Sequence, residues 1–250
     1  MKKIVTLGIS FLFIFLTSCS ADEHTTAFTP EFYYLPEEAM QAANVSKQTT
    51  ILYLAADESQ IETVDELKEQ VGEQVLYNVR ECDFSAQTCE ESTLYEDGEK
   101  IGAITYSYRY DTDKKYVISK ISEDTFREFV FVDGRLEAIK DYASGEITAD
   151  SVPVTTRAFQ YDNSNKCVSN LVDTVDGEGN PIQYRYGFDY TEDGQLSRIY
   201  VIGYDGDGED VVIGRTELVY NEANLIQSST YYAVVGDERR IVSHYEYIYE

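Results

Sequence analysis

Tyr184-Arg185-Tyr186-Gly187-Phe188-Asp189-Tyr190-Thr191-Glu192-Asp193-Gly194-Gln195-Leu196 is the stretch that decides the fold. Aromatic residues hold every second position up to Tyr190, and Arg185, Gly187 and Asp189 fill the places between. A period of two is a strand with one aromatic and one polar face. Asp193-Gly194 then marks a turn, because both residues tolerate positive φ, and Leu196 opens the next apolar run.

The same grammar extends outward in both directions. Ile104, Tyr106, Tyr108 and Tyr110 alternate with Thr105, Ser107 and Arg109, and Tyr245, Tyr247 and Tyr249 alternate with His244, Glu246 and Ile248. Asp133-Gly134, Asp176-Gly177, Asp205-Gly206 and Gly236-Asp237 supply further turn signals. An aromatic residue closes a strand just before a turn at Tyr161-Asp162, Tyr190-Thr191, Tyr220-Asn221 and Tyr249-Glu250, a period of about 29 residues. Such a unit is one hairpin, which needs its neighbours to bury its apolar face. The expected fold is mainly β: an antiparallel meander of repeated hairpins with a small α+β N-terminal portion. Strands are expected near 101–110, 126–132, 155–161, 182–190, 195–204, 210–220, 225–235 and 239–249, paired in chain order because short turns join only adjacent antiparallel strands.

Tyr161-Asp162-Asn163-Ser164-Asn165-Lys166-Cys167 and Tyr190-Thr191-Glu192-Asp193-Gly194-Gln195-Leu196 resemble the Y-D-x-x-G-x-L unit of YD-repeat (Rhs-like) proteins. They are similar above all to Bacteroidota lipoproteins of unknown function built from such hairpins, over about residues 92–250. Thr191 and Asn221 stand in place of the Asp, Asn165 and Asn224 stand near the Gly position, and the period is longer than in long Rhs shells. The resemblance implies hairpin architecture and brings no catalytic residues with it.

The chain begins with Lys2 and Lys3 followed by an apolar run from Ile4 to Leu16. That run is shorter than the roughly 20 residues a membrane-spanning helix needs, and its layout is that of a secretory signal peptide. Leu16-Thr17-Ser18-Cys19 resembles the lipobox of bacterial lipoproteins, which implies lipidation at Cys19. Buried acyl carbon contributes about 0.8 kcal/mol per CH₂, so two or more chains anchor stably. Ser20 in place of Asp points, by the same resemblance, to the outer membrane. Asp22 and Glu23 resemble the acidic export tag of Bacteroidota surface lipoproteins and read equally as a solvated tether. The division expected is 1–18 lipoprotein signal peptide, 19–31 lipidated tether, 32–91 small α+β segment and 92–250 hairpin meander. Within 32–91, residues 36–43 read as a short helix, 49–55 and 74–80 as strands, and Thr63-Val64-Asp65-Glu66 as a capping box opening a second helix that Gly72 ends.

Asp and Glu number 46 against 20 Lys and Arg, a formal charge of −26, and the leader carries only basic residues. Such a surface repels nucleic acid and anionic headgroups. The partner expected is therefore the membrane, through the anchor on Cys19, with an envelope protein or glycan left open. The aromatic stock is 22 Tyr and 11 Phe with no Trp. Exported chains meet oxidising conditions, so Cys82 and Cys89 are expected as a disulfide worth roughly 2–3 kcal/mol by loop closure, and Cys167 as a buried thiol.

Chemistry-bearing patterns are thin. His24 falls in the tether, and His244 reads as a solvated residue on the less aromatic face of the last strand. No P-loop, dinucleotide fingerprint, G-x-S-x-G or H-E-x-x-H occurs. Asp205, Asp207 and Glu209 offer alternating hard oxygens of the kind Ca²⁺ takes. As an EF-hand the loop fails, with Asp210 where Gly belongs and Thr216 where the bidentate Glu belongs. Asp173, Asp176 and Glu178 form a weaker version. The Tyr rows read as core, as a ligand-stacking face, or as part of a membrane barrel, with core favoured. The expected function is that of a lipid-anchored envelope protein; no enzyme activity is expected, since no catalytic motif occurs, and no cofactor is called for. It would act as a binding or structural module; the alternative is a lipid-tethered hydrolase acting on glycan or peptide.

Overall fold

The computed structural model describes residues 37–55, 61–71, 75–86, 88–95, 99–111, 114–143, 147–148, 150–164, 166–175, 179–204, 208–235 and 238–250. Cys19, the turns at 176–178, 205–207 and 236–237, and with them Asp205 and Asp207, lie outside these residues.

Among the described residues fourteen strands run in chain order: β1 (Lys47–Leu54), β2 (Leu76–Asp83), β3 (Thr88–Tyr95), β4 (Lys100–Asp111), β5 (Lys114–Lys120), β6 (Thr125–Val132), β7 (Arg135–Ala143), β8 (Thr155–Tyr161), β9 (Cys167–Val175), β10 (Pro181–Tyr190), β11 (Leu196–Tyr204), β12 (Asp210–Tyr220), β13 (Ile226–Val235) and β14 (Glu238–Tyr249). Each pairs antiparallel with its neighbours in sequence. The meander does not stay open: β1 also pairs with β14, with Thr50 opposite Tyr247, and the sheet closes into a barrel. Among the described residues two helices, α1 (Glu37–Ala42) and α2 (Val64–Val71), lie in the segment expected to be α+β. The three strands of that segment are continuous with the rest of the wall.

Cross-strand partners share a face, and the registers therefore trace the inner surface around the barrel. Tyr186 is opposite Val201 and Asn170, Phe159 opposite Asn170, Phe129 opposite both Ile139 and Val117, and Tyr108 opposite Val117. These residues belong to one core with Leu136, Cys167, Leu196, Ile226, Tyr245 and Tyr247. The aromatic rows thus point inward, and the barrel is filled by side chains.

At one end the core is closed by a recurring contact. The hydroxyls of Tyr161, Tyr190, Tyr220 and Tyr249 donate to the carbonyls of Leu136, Cys167, Leu196 and Ile226, at 2.7, 2.7, 2.7 and 2.9 Å. The following turns are alike as well. Asp162 and Asn221 accept amide hydrogens two and four residues on, and Thr191 accepts that of Gln195. Gly194 and Asn224 take positive φ, 84° and 59°, which is why Gly or Asn stands there.

Met40 of α1 is fully buried at this same end against the Cys82–Cys89 disulfide, Tyr106 and Tyr249. The disulfide bridges directly opposed residues of β2 and β3. Cys167 is a buried thiol. Helix α2 lies instead on the outer wall, where Leu67 packs with Ile61, Ile241, Tyr53 and Tyr232. Its capping box is formed: Glu66 N–H donates to Thr63 Oγ1 at 3.3 Å, and Thr63 N–H to Glu66 Oε2 at 3.1 Å.

Candidate functional site

The outward-facing residues carry the charge. On successive strands they include Arg109, Glu128, Lys140, Gln160, Asp173, Arg185, Arg198, Glu217 and Glu246, each offset by one position from the inner row. Several are paired on the wall. Arg109 reaches Glu128 at 3.2 Å, the Tyr142 hydroxyl donates to the same carboxylate, and Arg185 pairs with Asp210. Burial pushes the Tyr142 hydroxyl up to about 12, with the Glu128 charge adding to the shift.

The densest group of titratable side chains lies where α2 covers β1, β14 and β13. Glu246 accepts from Lys68 of α2 and, at 3.2 Å, from the Tyr53 hydroxyl. His244 Nε2 is 3.7 Å from Glu246, and its Nδ1 is 2.8 Å from Thr230 Oγ1. His244 is therefore buried, contrary to the solvated place expected for it, because α2 and Tyr53 cover that stretch of wall. Burial lowers the imidazole's pKa, with Glu246 only partly offsetting it. For Glu246 burial acts upward, but Lys68, His244 and the Tyr53 hydroxyl together outweigh it and hold the carboxyl low. Burial, then the Glu246 charge, raises Tyr53 to about 12. With both imidazole nitrogens and the carboxylate occupied by wall and helix groups, the arrangement fastens α2 to the barrel. Nothing in the sequence pattern revealed it, since its five members come from four separate elements.

Polar groups also lie inside. Arg80 and Glu91, both almost wholly buried on β2 and β3, pair at 2.6 Å, and the Tyr106 hydroxyl joins them. Arg127 pairs with Asp141 at 2.6 Å. Desolvating both charges offsets much of the attraction in such a pair, so these pairs add little net stability, whereas removing one partner leaves an uncompensated buried charge. They were invisible in the sequence because alternation alone does not say that a charged position faces a core.

Of the residues singled out for metal binding, Glu209 is exposed at the start of β12. Among the described residues no group of three or more His, Cys, Asp or Glu side chains is gathered to hold a metal ion. A groove of about 590 Å³ runs over the disulfide end, lined by Lys47, Glu81, Asp83, Glu90 and Thr105 among others. Glu81 and Glu90 are directly opposed across β2 and β3. Both are exposed, and Lys100 sits 2.8 Å from Glu90.

Fold and site together define a closed up-and-down β-barrel with a filled aromatic core and a charged outer wall. No protein-family model matches the chain, and no curated protein does. Among solved structures, a porin-like protein from Bacteroides uniformis is similar over 82% of this chain and 98% of its own, at 8% identity and a TM-score of 0.41. A structure of the Photorhabdus luminescens Tc holotoxin pore is similar over 66% of this chain but 14% of its own, at 11% identity and a TM-score of 0.18. Likenesses this loose lend the chain no function.

Proposed function

We propose that this chain is a bacterial lipoprotein, held to the outer membrane by acyl chains on Cys19, whose barrel serves as a non-catalytic binding or structural module of the cell envelope. One observation carries the proposal: the wall is charged outside and aromatic inside. A barrel that crosses a bilayer needs an apolar outer band, and here Arg185, Arg198, Glu217 and Glu246 occupy the outer face in mid-strand. The interior is packed, with Leu136, Ile139 and Val172 fully buried, and offers no open channel along these residues. What remains for function is the outer surface, and for attachment the lipobox at Leu16-Thr17-Ser18-Cys19. The YD-repeat reading of the hairpins belongs to the same proposal and is supported by the shared tyrosine–carbonyl contacts.

The rival reading, a lipid-tethered hydrolase, draws on the groove that holds Glu81 and Glu90. A glycosidase keeps its acid in an apolar surround, and two exposed carboxylates on the outer wall do not provide one. The deciding experiment is metabolic palmitate labelling with membrane fractionation. Wild type labels and sediments with the outer membrane, whereas Cys19→Ala loses the label and leaves the membrane. Continued labelling of Cys19→Ala overturns the anchor.

A further inference from the structure

We infer that the outer wall of β11–β14 is a binding site for an acidic polysaccharide, a glycan chain bearing carboxylate or sulfate groups. The inference rests on the reading that the barrel acts through its outer surface. Three guanidiniums converge there on one carboxylate. Glu217 is 2.7 Å from Arg215, 3.8 Å from Arg239 and 4.0 Å from Arg198. Asp189, directly opposite Arg198, is a second acid in the patch, and two acids against three bases leave one surplus positive charge on a chain whose formal charge is −26. Arg198 and Arg239 are 50% and 57% exposed, open to a ligand from solvent. Arg215 Nε is buried and has no hydrogen-bond partner among the described residues.

The aromatic residues give the patch its chemical character. The guanidiniums of Arg215 and Arg239 lie 5.5 and 5.0 Å from the centre of the Tyr232 ring. Tyr200 stands beside them on β11, opposite Arg215, with its hydroxyl donated to Asp189 at 2.7 Å. Stacking holds a guanidinium flat and leaves its N–H fork for a carboxylate or sulfate. Tyrosine faces interleaved with arginine forks suit a polymer that alternates sugar rings with anionic groups, and a bare phosphate would use only the forks. Arg239 lies near the start of β14, at the barrel end opposite α1.

The test titrates the full-length protein, solubilised in non-ionic detergent, with tetragalacturonate at low ionic strength. Maltotetraose serves as the neutral control and phosphatidylglycerol vesicles as the lipid control. Wild type should bind the acidic sugar and not the neutral one, and binding should weaken severalfold at physiological salt as screening sets in. Arg239→Gln should weaken it about tenfold with little change in melting temperature, the loss of one charge-assisted contact. Glu217→Gln should strengthen it several-fold, because it removes the internal competitor. An ion-pair network without a ligand would show neither effect. Absence of wild-type binding, equal binding by Arg239→Gln, equal binding of maltotetraose, or binding to the vesicles alone would each overturn the inference. None of these results would alter palmitate labelling at Cys19, so the anchor stands or falls separately.

Discussion

Tyr186 and Arg185 are neighbours in the chain and lie on opposite sides of the wall. Tyr186 is 7% exposed, with the Tyr184 ring edge-on at 5.8 Å, whereas Arg185 faces out and pairs with Asp210. Tyr186→Asp would place an unpaired charge in the core, at a cost of about 4 kcal/mol. Arg185→Asp exchanges one exposed ion pair for a like-charge contact and costs about 1 kcal/mol or less. Thermal melting of the two variants should differ accordingly, and equal melting temperatures would mean the aromatic face is not core. Which residues share a face was legible in the sequence, because alternation and register are one constraint: a slip of one position would exchange the Tyr184–Tyr190 row with Arg185 and Asp189. Glu128, buried on the outer wall beneath Arg109 and Tyr142, was not legible, since its cover comes from other strands.

At the scale of elements, the aromatic strands announced themselves, and those poor in aromatics did not. β3, β5, β7 and β9 fell outside the expected strands. Lys114-Lys115-Tyr116-Val117-Ile118-Ser119-Lys120 carries three lysines, and its inner row is short, yet pairing on both sides holds it in the sheet. Helix α2 was legible from its capping box, but its docking site was not. Docking buries His244 as a neutral imidazole and places Lys68 on Glu246. The folded His244 pKa lies below the unfolded value of 6.5, so this part of the stability is present above pH 6.5 and is lost as pH falls below it. Glu246, also depressed, adds a second loss below its ordinary 4.5. The protection factors of amides 64–71, exchange rates corrected for the intrinsic base catalysis, should therefore fall as pH falls from about 7 to about 5, and His244→Gln should flatten that window. Protection factors that stay flat over the window in wild type would refute the clamp.

The whole molecule has a core rich in phenols. Burial raises Tyr245 to about 12 and pushes Tyr220, Tyr247 and Tyr249 further up. These groups stay protonated in the fold while the unfolded chain ionises near 10, so the fold binds more protons above that point. Their contribution is whole below pH 10 and is lost as pH rises from about 10 to 12. Tyrosinate absorbance should rise in one cooperative step together with loss of the β signal in circular dichroism. Smooth titration of the tyrosines with the β signal intact would contradict a tyrosine-filled barrel.

From β10 to β14 the order of strands and their antiparallel sense follow from the sequence alone, because aromatic alternation sets each strand's faces and the short turns leave no room for a crossover; β5, β7 and β9, which separate strands expected as neighbours, did not show. The composition likewise marks the chain as acidic and rich in tyrosine. Closure is a tertiary matter: β1 meets β14 across nearly the whole chain, and no local pattern encodes the contact between Thr50 and Tyr247. Only closure makes one face an inside and turns the tyrosine rows into core, while the pairing of β11 through β14 gathers Arg198, Arg215 and Arg239 around Glu217. Those four residues come from three strands, and their approach depends on the registers of the finished sheet.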